Sequence, residues 1–233
     1  MQIIVNHLTR MQPGYMCVAG IDVASKQHIR PVLRSRLTTE MLTLNGGPFD
    51  IASLVDLGPV EYGGQVPEVE DYYFNPVYTR CTGVLSPTLF WDILRQSAQK
   101  SLVEIFGSEI RPLKPGCVVD VGKGKASLGC LIPALPPQLY VNRYSQIRML
   151  ITDGLLIADL SVTDARLCET DHTTPKADVI RQVNRRMQKG VGVILGVGLS
   201  RPWRQDNDTV ARHWLQVNNI HLEDSAVWRL AEL

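Results

Sequence analysis

GYMCVAGIDVASKQHIRPVL, residues 14–33, is the stretch that decides the fold. Two apolar runs, GYMCVAGID and HIRPVL, are separated by the short polar segment VASKQ. Apolar runs of this length around a short polar segment predict a β-hairpin, with Ser25, Lys26 and Gln27 at its tip. Further short apolar runs at 1–6 and 52–62 extend the same pattern, so the first part of the chain is predicted to be a set of short strands.

The second part of the chain repeats this pattern. Residues 115–134, PGCVVDVGKGKASLGCLIPA, predict a hairpin whose turn is the GKGK segment. Near the end, GVGVILGVGLSRPW (190–203) and ARHWLQVNNIHL (211–222) predict two more strands joined by a polar loop.

Two segments have helical spacing of their apolar residues instead. The first is 87–106, which Ser86 can cap and Gly107 can end. The second is 175–189, which begins with a proline after the capping residue Thr174.

The predicted fold class is therefore mainly β with two α-helices. We predict a first unit over residues 1–108, a linker over 109–116 and a second unit over 117–233. Several short strands with one helix are the inventory of an OB-fold, so the prediction is two tandem OB-like small β-barrels. An α/β sandwich of another topology remains open on pattern alone.

The composition is that of an ordinary globular protein, with 233 residues, 45% hydrophobic and 20% charged. The formal net charge of +1 gives no global attraction to nucleic acid or membranes, so any basic surface must be local. The five cysteines include no CxxC pair, which argues against a zinc or disulfide framework and favours a reducing, cytoplasmic location. No apolar run is long enough to cross a bilayer, so we expect no membrane partner.

Several segments together resemble a known family. They are VNHLTRMQPGYMCVAGID with HIRPVL, NGGPFDIASLVDLG, the acidic PEVED, and GLSRPW with HWLQVNNIHLED. Their order and spacing are similar to the prokaryotic dual-OB-containing domain family, across nearly the whole chain. The resemblance implies two OB-like barrels in tandem. It implies no reaction and no catalytic residues, because that family is defined by its fold.

Arginine precedes proline at three places, Arg30, Arg111 and Arg201. A residue before proline is held in extended geometry, so each arginine is expected to project from a strand or a strand end. One interpretation is an arginine at a barrel rim that faces a phosphate. The other is a protected edge strand with a solvated arginine.

Basic and aromatic residues are interleaved at four places in the second half. The C-terminal group is Arg201, Trp203, Arg204, Arg212, His213 and Trp214. The others are Tyr140, Arg143, Tyr144 and Arg148; Lys123 and Lys125; and the helix face Arg181, Arg185 and Lys189, with Arg186 beside it. Stacking rings beside arginines are what a single-stranded nucleic acid requires, whereas a core tryptophan and solvated basic faces are the plain alternative. Strand alternation places Trp214 with polar neighbours and slightly favours a half-exposed ring.

Signals for an enzyme are weak. GVGVILGVG lacks the third glycine of a dinucleotide fingerprint, GKGKAS lacks the phosphate-loop spacing, and the five histidines form no zinc motif. The acidic residues Glu68, Glu70 and Asp71 could gather a divalent ion, although such a run is more often a solvated loop.

The sequence thus predicts a non-catalytic protein without cofactors that binds DNA or RNA through its second half. Two alternatives stay open. One is a protein-interaction module of a larger complex, and the other is a metal-dependent hydrolase around the acidic run.

Overall fold

The computed structural model describes residues 1–205 and 209–230, and in them the chain is mainly β, with two curled sheets. The first sheet has seven strands: β1 (Gln2–Arg10), β2 (Met16–Asp22), β3 (His28–Val32), β4 (Ser53–Asp56), β5 (Val60–Tyr62), β6 (Asp71–Phe74) and β7 (Arg80–Val84). Their spatial order is β5-β6-β3-β2-β1-β4-β7. The predicted hairpin is confirmed, because β2 pairs antiparallel with β3 around the turn at 23–27.

The remaining elements are α1 (Pro87–Ser97), β8 (Ala98–Gln99), α2 (Leu102–Phe106), β9 (Arg111–Leu113), β10 (Gly116–Asp120), β11 (Leu128–Leu131), β12 (Gln138–Val141), β13 (Ile147–Thr152), β14 (Ile157–Val162), α3 (Ala177–Gln188), β15 (Val193–Leu199) and β16 (Arg212–Leu222). The second sheet runs β12-β13-β14-β16-β15-β11-β8, and β10 pairs with both β16 and β9. Short 3-10 turns lie at 39–41, 43–45, 76–78, 165–167 and 223–225.

The helix predicted over 87–106 is wrong in one respect, because it is two helices separated by a strand. Helix α1 begins as predicted, with Ser86 as its cap and Pro87 in its first turn, but it ends at Ser97. Residues 98–99 then form β8, which pairs in parallel with β11, and Ser101 is the N-cap of α2. The described residues therefore contain three α-helices. The third, α3, lies inside the predicted span 175–189, but its N-cap is Lys176 and not Thr174.

The hairpin predicted at 115–134 does not form. Strand β10 pairs with β9 and β16, whereas β11 pairs with β15 and β8. The GKGK segment is thus a connection between strands that are not paired with each other. Residues 109–116, predicted as a linker, contain β9 and the first residue of β10.

Each sheet has its own apolar core, and the first core also contains residues from the later part of the chain. The first core includes Phe90 and Leu94 of α1, but also Cys130, Ile194 and Ala226 from the later part of the chain. The second core takes in the buried residues of α2 and α3. Residues 98–106 thus belong structurally with the second sheet.

Strands β1 and β16 face each other where the sheets meet, and each contains a β-bulge there. In β1 the register passes from Val5 opposite Gly20 to His7 opposite Ala19, which leaves Asn6 as the extra residue. In β16 the corresponding extra residue is Asn218. Bulges redirect side chains out of the regular alternation. Asparagine, threonine and histidine side chains therefore bridge the two strands, at Leu8 N–Asn219 Oδ1 (2.7 Å), Asn218 Nδ2–Thr9 Oγ1 (2.8 Å) and His221 Nε2–Asn6 O (3.0 Å).

Candidate nucleic-acid interface

The predicted C-terminal group lies partly on the connection that follows β15 and partly on the first residues of β16. Trp203 and Arg212 exchange two backbone hydrogen bonds of 3.1 Å, which pair Trp203 with the start of β16. The Trp203 ring is 47% exposed, and its centroid lies 5.6 Å from that of Trp214 at an angle of 36°. Trp203 is thus an exposed ring supported from behind by a second indole.

Trp214 itself is buried, at 7% exposure, so of the two interpretations left open by the sequence the structure has the core tryptophan and not the half-exposed ring. The alternation of side chains along one strand gives no information about residues of other segments that cover a side chain. Val118 of β10 pairs opposite Trp214, and Trp203 covers its ring. His213 is also buried, and its Nδ1 donates a 2.9 Å hydrogen bond to the carbonyl of Ser200.

Arg201 contacts acidic residues of the first sheet. Its guanidinium lies 2.5 Å from Asp71 and 3.4 Å from Glu68. The buried Arg30 contacts the same Asp71 carboxylate at 2.5 Å. Two of the three arginines that precede proline therefore meet at one carboxylate, which ties the two sheets together.

The acidic run does not form a shared ion site. Glu70 accepts hydrogen bonds from Ser127 N (2.8 Å), Ser127 Oγ (2.6 Å) and Leu128 N (3.0 Å), and burial raises its pKa. Glu68 and Asp71 are engaged by Arg201 and Arg30. The geometry gives the metal-dependent hydrolase alternative no support, because arginine cations pair with Glu68 and Asp71 and the acidic run forms no group of three potential metal ligands among the described residues.

A second pair of arginines contacts Asp120, the last residue of β10. Arg111 lies 2.9 Å from this carboxylate, and Arg212, at the start of β16, lies 3.4 Å from it. Lys123 follows in an exposed turn that begins at Asp120, and Arg204 is exposed and follows Trp203 in the sequence. Arg212, which pairs with Trp203, therefore shares the Asp120 carboxylate with Arg111.

The other predicted residues are distributed over the second sheet. Lys125 is exposed and donates to the carbonyl of Glu104 at 3.3 Å. Arg143 stacks over the ring of Tyr144 at 4.7 Å, in the turn between β12 and β13, and both are exposed. Arg148 is buried and contacts Asp159 at 3.2 Å and Ser161 at 2.7 Å, so its role is structural.

Helix α3 presents the last predicted group. Arg181 pairs with Asp178 on its own helix, and Arg185 and Lys189 are exposed. Arg181 and Arg185 line a shallow cleft together with Tyr140 of β12. The structure thus brings the helix face next to β12, which ends at the Arg143 turn.

Sequence reasoning treated the histidines as scattered, and the structure brings His7 and His28 together. Their ring centroids are 5.4 Å apart, and Cys130 lies beside them. No local spacing signals this cluster, because its members come from three strands of two sheets. No helix in the described part of the chain is long and apolar enough to span a membrane.

Comparison with known protein families and with curated proteins found no match to this chain.

Proposed function

We propose that this protein binds single-stranded nucleic acid through two loops of its second sheet, acting as an OB-like barrel. The strand connections support the barrel. Strands β11 and β12 together take the place of a long first strand, since β11 pairs with β15 and β12 pairs with β13. Strands β13 and β14 complete a meander, α3 follows, and β16 returns parallel to β14 and antiparallel to β15.

The first sheet supports a similar proposal in part. Strands β1, β2 and β3 form a meander, β4 pairs with β1, and β6 lies parallel to β3. In the described residues β4 pairs with β7 and not with β6, so this barrel would be open on that side.

The observation that carries the functional proposal is the position of the exposed aromatic residues. OB barrels bind oligonucleotides through the face of their second and third strands and through the loops after the first and fourth. Here those loops are 142–146 and 200–211, of which 206–208 lie outside the described residues. They carry Tyr144, which is 66% exposed beside Arg143, and Trp203, which is 47% exposed beside Arg204.

An aromatic ring beside a guanidinium provides the two contacts that single-stranded nucleic acid needs at each nucleotide. A base stacks on the ring with about 1–3 kcal/mol, and the arginine meets the phosphate. Trp203 is preorganised for this role because Trp214 supports its ring. Arg201 contributes less than the sequence predicts, because Asp71 and Glu68 already engage its guanidinium.

The test is a fluorescence-anisotropy titration with a dye-labelled 20-nucleotide oligo-dT and the corresponding oligo-U, which reports binding in variants with and without Trp203. In the wild-type chain Trp203 is the most exposed tryptophan among the described residues, so base stacking on it should also quench tryptophan emission. We expect Trp203→Ala and Tyr144→Ala each to weaken binding by about 5- to 150-fold, which corresponds to about 1–3 kcal/mol. Binding should also weaken as salt is raised.

The matched control is Tyr78→Ala, which removes an equally exposed ring (58%) from the first sheet and should leave binding unchanged. Absence of binding at low salt, or equal losses from Tyr78→Ala and Trp203→Ala, would refute the proposal.

One observation favours the interaction-module alternative. Leu135, Leu150 and Ile157 line a shallow cleft on the outer side of β13 and β14, and they are 65%, 40% and 74% exposed. This face is apolar where a nucleic-acid surface would be basic or aromatic. A protein partner bound there would be lost with Ile157→Lys, whereas oligonucleotide binding through Trp203 would persist.

A further inference from the structure

The strongest unassigned feature is a cluster of two histidines and one cysteine where the two sheets meet. His7 lies in β1, His28 begins β3 and Cys130 lies in β11 of the other sheet. One potential ligand atom from each residue lies within 4.8 Å of the other two. The Cys130 Sγ and the His28 Nε2 are 3.7 Å apart.

The His7 ring is a buried polar group whose hydrogen-bonding atoms lack partners among the described residues. Its side chain is 1% exposed, and neither ring nitrogen has a hydrogen-bond partner among the described residues. A buried polar group without a partner costs about 1–3 kcal/mol, so such an arrangement calls for an explanation. The bulge at Asn6 contributes to it, because the extra residue changes the direction of the side chains that follow.

We propose that His7, His28 and Cys130 form a binding site for a zinc-type divalent cation that joins the two sheets. Two imidazoles and a thiolate are a donor set that Zn²⁺ uses. Tetrahedral zinc holds sulfur and nitrogen about 3.5 Å apart, given bonds of about 2.3 and 2.0 Å. The Cys130–His28 separation of 3.7 Å is close to this distance, and the other pairs, which lie within 4.8 Å, would close by at most about 1.5 Å.

Asn6 borders the fourth coordination position. Its Nδ2 lies 3.2 Å from His28 Nε2 and 3.3 Å from Cys130 Sγ, and its Oδ1 is buried without a hydrogen-bond partner among the described residues. Three protein ligands leave the fourth position to a water or to this amide oxygen.

Zinc would bind the two imidazoles through their lone pairs and the sulfur as a thiolate. The thiol proton would pass to solvent, so one proton would be released for each ion bound.

The test uses the full chain, stripped with a chelator and titrated with Co²⁺ and then Zn²⁺. Co²⁺ should bind with about one equivalent and give a thiolate charge-transfer absorption, which Zn²⁺ then removes. Cys130→Ser should abolish that absorption, and His28→Gln should weaken metal binding by more than about 100-fold. His28 is only half-buried, so this variant serves if Cys130→Ser does not fold.

The matched control is Cys168→Ser, which changes another buried thiol outside the cluster and should retain the full absorption. The proposal is overturned if the wild-type chain takes up no stoichiometric Co²⁺ or Zn²⁺. It is also overturned if His28→Gln binds the metal as tightly as the control variant and the wild-type chain do. These outcomes do not depend on oligonucleotide binding.

Discussion

Asp71 shows how one residue can decide the role of two others. Arg30 and Arg201 have the same local sequence, an arginine before a proline, and the structure directs both to this carboxylate. Arg30 is 4% exposed, so its charge depends on Asp71, whereas the Arg201 side chain is half exposed and keeps contact with water. The same short motif therefore has a buried and a solvated version.

Asp71→Asn should therefore destabilise the protein strongly. Removing one partner of a buried ion pair leaves the other charge uncompensated, at about 3–5 kcal/mol. Asp56→Asn is the matched control, because Asp56 pairs with the exposed Arg80 and an exposed pair contributes about 0–1 kcal/mol. Urea unfolding followed by circular dichroism measures both, and equal losses would contradict the assigned role of Asp71.

The contact between Arg201 and Asp71 could not be predicted from the sequence. The two residues are 130 positions apart, and the acidic run has the composition of a solvated loop. Arg-Pro geometry correctly indicates an extended backbone, but it carries no information about which carboxylate a side chain will reach.

At the scale of elements, the division between α1 and α2 is the clearest departure from the predicted helix. The apolar residues up to Leu94 and from Leu102 onward have helical spacing, and neither glycine nor proline stands between them. The sequence does contain a signal for the start of a second helix, the capping box of Ser101 and Glu104. The Ser101 Oγ accepts from Glu104 N at 3.2 Å, and the Glu104 side chain accepts from Ser101 N at 3.2 Å. Periodicity alone therefore predicted the existence of the helical segment but not its interruption.

Ser101→Ala should destabilise the protein by about 1 kcal/mol, because it removes the acceptor for a free backbone N–H at the start of α2. Ser108→Ala is the control, since the exposed Ser108 hydroxyl contacts only a neighbouring side chain and its loss should cost less than about 0.5 kcal/mol. Thermal unfolding would measure the difference, and the same midpoint for both variants would argue against the capping role.

At the scale of the whole molecule, the contact between the sheets includes a group of buried histidines beside its apolar residues. His7, His28 and His221 are all at or near it, and burial lowers the pKa of all three, to about 4 for His28 and about 3 for His221. A local reading of the sequence could not find this group, because strands from both halves supply it. The strand content and the hairpin at 23–27 were predictable, since they depend on neighbouring residues.

These histidines make stability depend on pH. In the folded chain they stay neutral, whereas the unfolded chain binds protons below about pH 6.5, so stability is full above that pH and is lost as pH falls. For His221 alone the loss should be about 2 kcal/mol between pH 7.5 and pH 5. In urea unfolding with chelator present, His221→Gln should reduce the loss of unfolding free energy between pH 7.5 and pH 5 by about this amount. An unchanged loss would show that the protonation of His221 is not linked to unfolding.

The presence of later residues in the first core has a consequence for synthesis on the ribosome. The first sheet is complete in sequence by Val84, but its core also needs Cys130, Ile194 and Ala226. At about 5–20 residues per second, translating from residue 84 to residue 226 takes roughly 7–28 s. During that interval the nascent first sheet has an uncovered apolar surface, so the emerging chain should be a substrate for chaperones until its last strand has left the exit tunnel.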